Sequence, residues 1–186
     1  GSRNAGPKEL KAASDIAEQL AAEGITVVSG LARGIDAAAH ESALRVGGRT
    51  VAVMGTGIDQ TYPAEHNNLR QHIESQQGQI ITQFFPGSTT AKHNFPMRNA
   101  TMSGYGVATI VIAASEKSGT RHQARAAIGH GRALILTPGV VRNTSWGREY
   151  VEKGDAYVAE SPEQAVCYAL EVFEKNQNIS DELLSL

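Results

Sequence analysis

VVSGLARGIDAAAH, residues Val27 to His40, is an apolar run that breaks at Ser29-Gly30 and resumes with helical spacing near Asp36, leaving Arg33 and Gly34 in the turn. Such a turn suits a plain strand-to-helix connection, a phosphate-binding turn or a nucleophile-bearing turn. The surroundings narrow the choice. Short β-branched runs recur as ITVVS, TVAVMG, QIITQF, ATIVIAA, ALILT and the weaker AYVAE. Between them lie segments with helical spacing: Lys8 to Gly24, then roughly Asp36 to Val46, Glu65 to Gln76, Thr120 to Gly131 and Pro162 to Glu174. Apolar strands alternating with helices predict a mostly parallel sheet covered on both faces, an open three-layer α/β domain.

The 186 residues, 41% of them hydrophobic, suffice for one such domain, expected over residues 1–176, with 177–186 as a tail that frays or packs on a partner. PGSTTAKHNFPMRN, Pro86 to Asn99, reads as a long irregular connection. The opening GSRNAG has the form of a turn that follows a strand, though no strand precedes it in the sequence. A single cysteine, Cys167, and the lack of a membrane-length apolar run favour a reducing, cytoplasmic setting away from the membrane.

The net charge of −2 hides an asymmetry. Between Pro86 and Leu136, six basic residues face Glu116 alone, whereas from Glu149 to Leu186 nine acidic residues face two basic ones. A basic middle on an otherwise acidic body suits an anion-binding face.

Four glycine-containing turns follow strands or stand where one belongs: GSRNAG, SGLARGID, MGTGID and EKSGTRH. In a parallel sheet the carboxyl ends of the strands share one edge, so these turns gather at the usual ligand crevice. Glycine permits close backbone approach, and a helix start directs N–H groups and positive dipole outward. Ser2, Arg3, Ser29, Gly30, Arg33, Gly34, Lys117, Ser118, Gly119, Thr120 and Arg121 are therefore candidate phosphate-binding residues, and Lys92 and Arg125 extend the basic track. Neither a Walker A loop nor a spaced GxGxxG fingerprint is present. Asp36 and His40 share a helix face below Ser29, but without a GxSxG elbow Asp36 reads as a helix-start residue rather than a triad member. Scattered histidines give no metal-ligand spacing, and no cofactor is expected. Among the aromatic residues, Phe95 and Tyr105 flank Arg98, as single-stranded nucleic acid held by charge and stacking requires, with Tyr62 nearby; Phe84 and Phe85 read as core.

SGLARGIDAAAH, GGRTVAVMGTGIDQTYPAEHNNL, FPMRN, SGTRHQA and GHGRALILTPG occur in an order that resembles the DNA-processing protein A family, also called Smf. The resemblance covers about Gly1 to Gly154. It implies a Rossmann-like domain that binds single-stranded DNA in natural transformation or recombination, assists loading of a RecA-type recombinase and forms a homodimer. By motif it carries over Arg33 and Gly34 from the GLARGID turn, Arg98 and Asn99 from the RN segment, and Ser118 and Gly119 from the Ser-Gly turn. The chain departs from the family wording at SGTRHQA and at ATMSGYG. On this reading Arg33, Arg98 and Arg121 take neighbouring phosphates without catalysis. The alternatives are a nucleotide-derivative sensor and a phosphoribohydrolase of the same superfamily. The latter needs a carboxylate where Arg121, His122 and Gln123 stand.

Overall fold

The computed structural model describes residues 1–184, with side chains described through 179. In chain order the elements are α1 (Pro7–Ala22), β1 (Val27–Ser29), α2 (Ile35–Arg45), β2 (Thr50–Met54), a short 3-10 turn (Ala64–His66), α3 (Asn67–Ser75), β3 (Gly78–Thr82), α4 (Asn94–Tyr105), β4 (Ala108–Val111), α5 (Thr120–Gly129), β5 (Ala133–Leu136), α6 (Pro138–Asn143), α7 (Ser145–Glu152), β6 (Tyr157–Val158) and α8 (Pro162–Leu184). The strands form two three-stranded sheets, β1-β2-β3 and β4-β5-β6, parallel throughout. The expected α/β architecture is present, as two hydrogen-bonded halves rather than one ladder.

Three apolar clusters follow from the sequence patterns. Ala13, Ile16 and Leu20, one stripe of α1, pack with Ile35, Ile112 and Ile135, so a single helix joins residues of both halves. Leu31, Ala52, Met54 and Ile73 fill the first half. Val111, Leu134, Leu136 and Trp146 fill the second, where β4 and β5 bury one face against α5 and α7.

Two predicted features change. The segment around FPMRN, expected to be irregular, is helical from Asn94, because Pro96 falls in the first turn, where a missing N–H costs no hydrogen bond. The expected core residue Phe85 is 85% exposed. The stretch after residue 176 continues α8 to Leu184.

His40 ties α2 to β1 and β2. Thr50 Oγ1 donates to Val27 O at 2.8 Å, so its lone pair meets His40 Nδ1 at 2.7 Å and that nitrogen carries the proton. Nε2 is then free to accept from Leu31 N–H at 3.4 Å. Burial, opposed in part by Asp36, pushes the imidazole down from 6.5 to about 4. As pH falls, the unfolded chain takes up this proton first. Unfolding free energy should therefore drop between about pH 6.5 and 4 by on the order of 3 kcal/mol from this group. His40→Leu should be less stable at pH 7 by about 1–3 kcal/mol, since Leu31 N–H loses its acceptor, yet show a flatter profile across that window. Urea denaturation at stepped pH measures both.

Candidate functional site

The turn that leaves β1 is gripped by side chains at successive backbone groups. Gly30 N–H donates to Asp36 Oδ2 at 3.1 Å, and Gly30 O accepts from Arg98 Nη1. Leu31 N–H donates to His40, while Leu31 O accepts from His66 Nδ1 at 2.8 Å. Leu31 is fully buried with φ of 56°, a left-handed conformation that costs leucine about 1–2 kcal/mol and survives where neighbours over-determine it. A Cβ on Gly30 would run into the Arg98 guanidinium and stand 2.7 Å from Asp36 Oδ2, so only glycine fits between these charges.

Asp36 and Arg98 are 6% and 5% exposed. Burial pushes the Asp36 carboxyl up, but the Gly1 amino group, Arg98 and His40 together outweigh it and hold it below the usual carboxylate range. Gly1 N donates to Asp36 Oδ1 at 3.3 Å. Arg98 spends Nη1 on the carbonyls of Gly30 and Val53, and Nε on Asn99 Oδ1 at 3.0 Å. The guanidinium expected to take a phosphate thus commits Nη1 to the backbone ends of β1 and β2 while it lines the crevice. Asn99, also buried, passes the contact on through Nδ2 to Gly119 O at 3.3 Å.

Above this floor, Gly34 has φ of 75°, and a Cβ there would stand 2.5 Å from Ser2 O and 3.0 Å from Arg3 O. Glycine lets the first turn lie against the second, with Ile35 N–H donating to Ser2 O at 3.3 Å. This contact carries Arg3 to the rim, where its guanidinium carbon lies 5.1 Å from the Phe95 ring centroid. Phe95 sits on Gly55, whose Cβ would be 3.2 Å from two ring carbons, and its centroid is 5.6 Å from that of Tyr62. Arg98 lies 5.9 Å from the Phe95 centroid. The resulting crevice of about 500 Å³ is lined by Arg3, Arg33, Tyr62, Glu65, Phe95 and Arg98 among others.

Arg33 is exposed and held by Glu65 in a two-point contact, Nε to Oε1 at 2.6 Å and Nη2 to Oε2. The hydrogen bond and charge of Glu65 raise the Arg33 pKa, and Arg33 in turn lowers that of Glu65. Glu65 was not among the sequence candidates; its distance of 32 residues from Arg33 hides the pair.

Arg3, Gly30, Arg33, Phe95 and Arg98 thus line one crevice, whereas Ser2, Ser29, Gly34 and Asn99 are not among its lining residues; Ser2 borders a second cavity, and Ser29 the space between β1 and β4. Lys117, Ser118, Gly119, Thr120 and Arg121 lie outside the crevice, in the turn from β4 to α5 and the first turn of α5. Thr120 is buried, and the charge of Arg121 acts on Glu116 and Glu149 instead. Lys92 is exposed just before α4, outside the crevice lining, and Tyr105, 69% exposed, ends that helix. Asn4 borders both this crevice and a second of about 450 Å³ over β4, β5 and β6. Among the described residues no cluster of three or more His, Cys, Asp or Glu could hold a metal, and no helix is long and apolar enough to cross a membrane.

Parallel strands, covering helices and a crevice at the strand ends define a Rossmann-like α/β protein. The chain belongs to the DNA recombination-mediator protein A family, whose profile matches residues 1–169. It is 36% identical over 148 residues to the Smf protein of Escherichia coli K12, covering 79% of this chain and 40% of that one. With the DNA processing protein DprA of Streptococcus pneumoniae R6 it shares 36% identity over 141 residues, 76% of this chain and 49% of the relative. The chain therefore spans less than half of either relative. The solved structure of S. pneumoniae DprA superposes with a TM-score of 0.77 at 30% identity, covering 90% of this chain and 59% of that one. DNA processing protein A from Helicobacter pylori, whose structure is described for its single-stranded DNA binding mode, gives 0.80 at 26% identity over 92% and 78%.

Arg98→Ala should lower unfolding free energy by about 3–5 kcal/mol, because Asp36 and two strand-end carbonyls lose their buried partner. Gly30→Ala should cost about 1–3 kcal/mol through overpacking, whereas Arg33→Ala, at an exposed pair, should leave the urea midpoint unchanged. Equal losses for Arg33 and Arg98 would contradict this division between floor and rim.

Proposed function

We propose that the chain binds single-stranded DNA, without catalysis, through the crevice that ends β1 and β2. The observation that carries the proposal is the stack of Arg3 on Phe95 beside Tyr62, a cation and two rings on one wall. Stacking on aromatic faces suits any base, and adjacent guanidinium groups suit the backbone, so the site favours strand over sequence. The likeness to the H. pylori protein supports this reading. In the mechanism Arg3 and Arg33 meet neighbouring phosphates, Phe95 and Tyr62 support a base, and Lys92 extends the track beyond the crevice. Arg98 and Asn99 hold the floor, Arg98 through Nη1 and Nε and Asn99 through Nδ2. Glu65, the carboxylate at the crevice, is engaged by Arg33 rather than poised to activate water, which supports binding over glycosidic hydrolysis. By family, the reading extends to a cytoplasmic role in DNA uptake and recombination, with a RecA-type recombinase as partner and a homodimer as the working form.

Titration of labelled oligo-dT by anisotropy tests the proposal. With three phosphates neutralised, log K should fall with log salt at a slope of roughly −2. Affinity that ignores strand length and equals that for a mononucleotide would point to a nucleotide sensor instead. Phe95→Ala should weaken binding by on the order of tenfold, about 1–3 kcal/mol per stacked base, with Arg3→Ala reducing both affinity and salt slope. Glu65→Gln should strengthen binding several-fold at low salt, since it releases Arg33 to the backbone and removes a negative charge from the rim. Unchanged affinity in Glu65→Gln would place Arg33 outside the DNA path.

A further inference from the structure

Phe85 is the most exposed large apolar side chain among the described residues. One exposed apolar residue is ordinary by itself; the backbone that carries this one is not. Pro86 and Gly87, the latter with φ of 82°, occupy the two central positions of a tight turn closed by Ser88 N–H donating to Phe85 O at 3.0 Å, the pattern of a type II turn. That turn is fastened to the one that leaves β2. Gly57 N–H donates to Ser88 O at 2.9 Å, and Gly87 N–H donates to Asp59 Oδ1 at 2.8 Å. A Cβ on Gly57 would stand 2.5 Å from Phe85 O, so the two backbones touch. Both ends of the segment are also tied. Phe84 N–H donates to Thr82 Oγ1 at 3.1 Å, and Asn94 Nδ2 donates to Gly55 O at 2.9 Å and to Thr89 O at 3.3 Å.

These bonds place Phe85 beside the crevice. Phe95 rests on Gly55, Phe85 O lies against Gly57, and Tyr62 of the same turn lines the crevice wall. Two residues of chain, at most about 7 Å, separate the first two contacts. Ile58, on the same turn between Gly57 and Tyr62, is exposed as well, so apolar surface continues from the crevice toward Phe85. The charges nearby are one-sided. No carboxylate occurs in the sequence between Glu74 and Glu116, and the stretch from Gln76 to Ala91 is uncharged, with Lys92 directly after it. Asp59, the one acidic residue from Gly55 to Pro63, is engaged by Gly87 N–H. Lys92 is exposed and makes no hydrogen bond or ion pair among the described residues. An open ring, a free ammonium group and no competing carboxylate suit a polyanion that carries flat bases.

We infer that Phe85 is a second stacking surface for the strand held in the crevice, taking the face of a base beyond the one at Phe95, with Lys92 on the adjoining phosphate. The inference rests on the crevice being a single-stranded DNA site, and it gives the strand a direction, outward over the turns that follow β2 and β3. The Pro86-Gly87 turn and its bonds hold the backbone before the strand arrives, so only two side-chain torsions of Phe85 remain to be ordered on binding.

The test compares Phe85→Ala, Phe85→Trp, Lys92→Ala and Phe95→Ala by anisotropy with a labelled dT dodecamer, with an unlabelled dT trinucleotide as competitor that fills only the crevice. Phe85→Ala should keep the urea midpoint and the trinucleotide affinity of the unaltered protein, yet bind the dodecamer on the order of tenfold more weakly, and Phe85→Trp should restore it. Lys92→Ala should lower the dodecamer salt slope by about 0.7. Irradiation of a strand carrying 5-iododeoxyuridine should give adducts on the peptide containing Phe85 as well as on that containing Phe95. Loss of affinity and an adduct at Phe95, with neither at Phe85, would overturn this inference and leave the crevice standing. No effect and no adduct at either ring would remove the crevice reading along with it. Unchanged dodecamer affinity in Phe85→Ala together with a lower solution mass would also overturn the inference, since the ring would then serve contact between copies of the chain.

Discussion

Two opposite charges on either side of a glycine hold the site end of this molecule. Asp36 takes the N–H of Gly30 and Arg98 takes its C=O, so the residue that follows the first strand is clamped from α2 and from α4 at once. Neither group survives burial alone, since desolvation works against each charge. Their mutual field, with the Gly1 amino group and the Val53 carbonyl, compensates that cost. The clamp also explains the strained Leu31, which sits between Gly30 and the exposed part of the turn and is pinned by His40 and His66. A rigid turn is what a binding rim requires, because side chains that must be ordered on binding lose affinity to entropy.

Cations in this chain divide into two kinds by what surrounds them. Arg98 is desolvated and holds two carbonyls through Nη1 and Asn99 through Nε, so it acts on the backbone. Arg3 lies on a ring and faces solvent, and Arg33 is exposed against a carboxylate that water or a polyanion can displace. An exposed ion pair contributes little to stability, so exchanging its partner costs little. The same residue type is structural at one position and available at another in the same crevice.

Much of the fold was legible in the sequence because strands, helices and turns announce themselves locally. The β-branched runs, the α1 stripe and the glycine turns needed only neighbouring residues to read, and they placed the crevice at the correct edge. Position 98 was a different matter. Its basic neighbours suggested a surface track, whereas its fate depends on Asp36 and the ends of two strands, 45 and 68 residues away along the chain from its carbonyl partners. Glu65 escaped for the same reason, and α4 was obscured by a proline that sits where helices tolerate one. Asp36 read correctly as a helix-start residue, yet nothing local revealed that it is buried. Pairing across long separations is what periodicity and composition do not encode.

The two halves of the sheet also explain why α1 matters more than its polar surface suggests. No strand pairing joins β1 to β4 among the described residues, so contact between the halves rests on the α1 stripe, on α4 reaching Gly30 and Val53, and on the bond from Ser2 to Ala113. Each of these also positions a crevice residue: α1 follows the Arg3 turn, α4 carries Phe95, and Ser2 precedes Arg3. Relative movement of the halves therefore cannot leave the rim unchanged. Arg3 follows Ser2, which is bonded to Ala113 just past β4, while Phe95 rests on Gly55 just past β2, so their 5.1 Å contact spans the two halves. The packing between the halves and the order of the crevice rim therefore rest on shared elements.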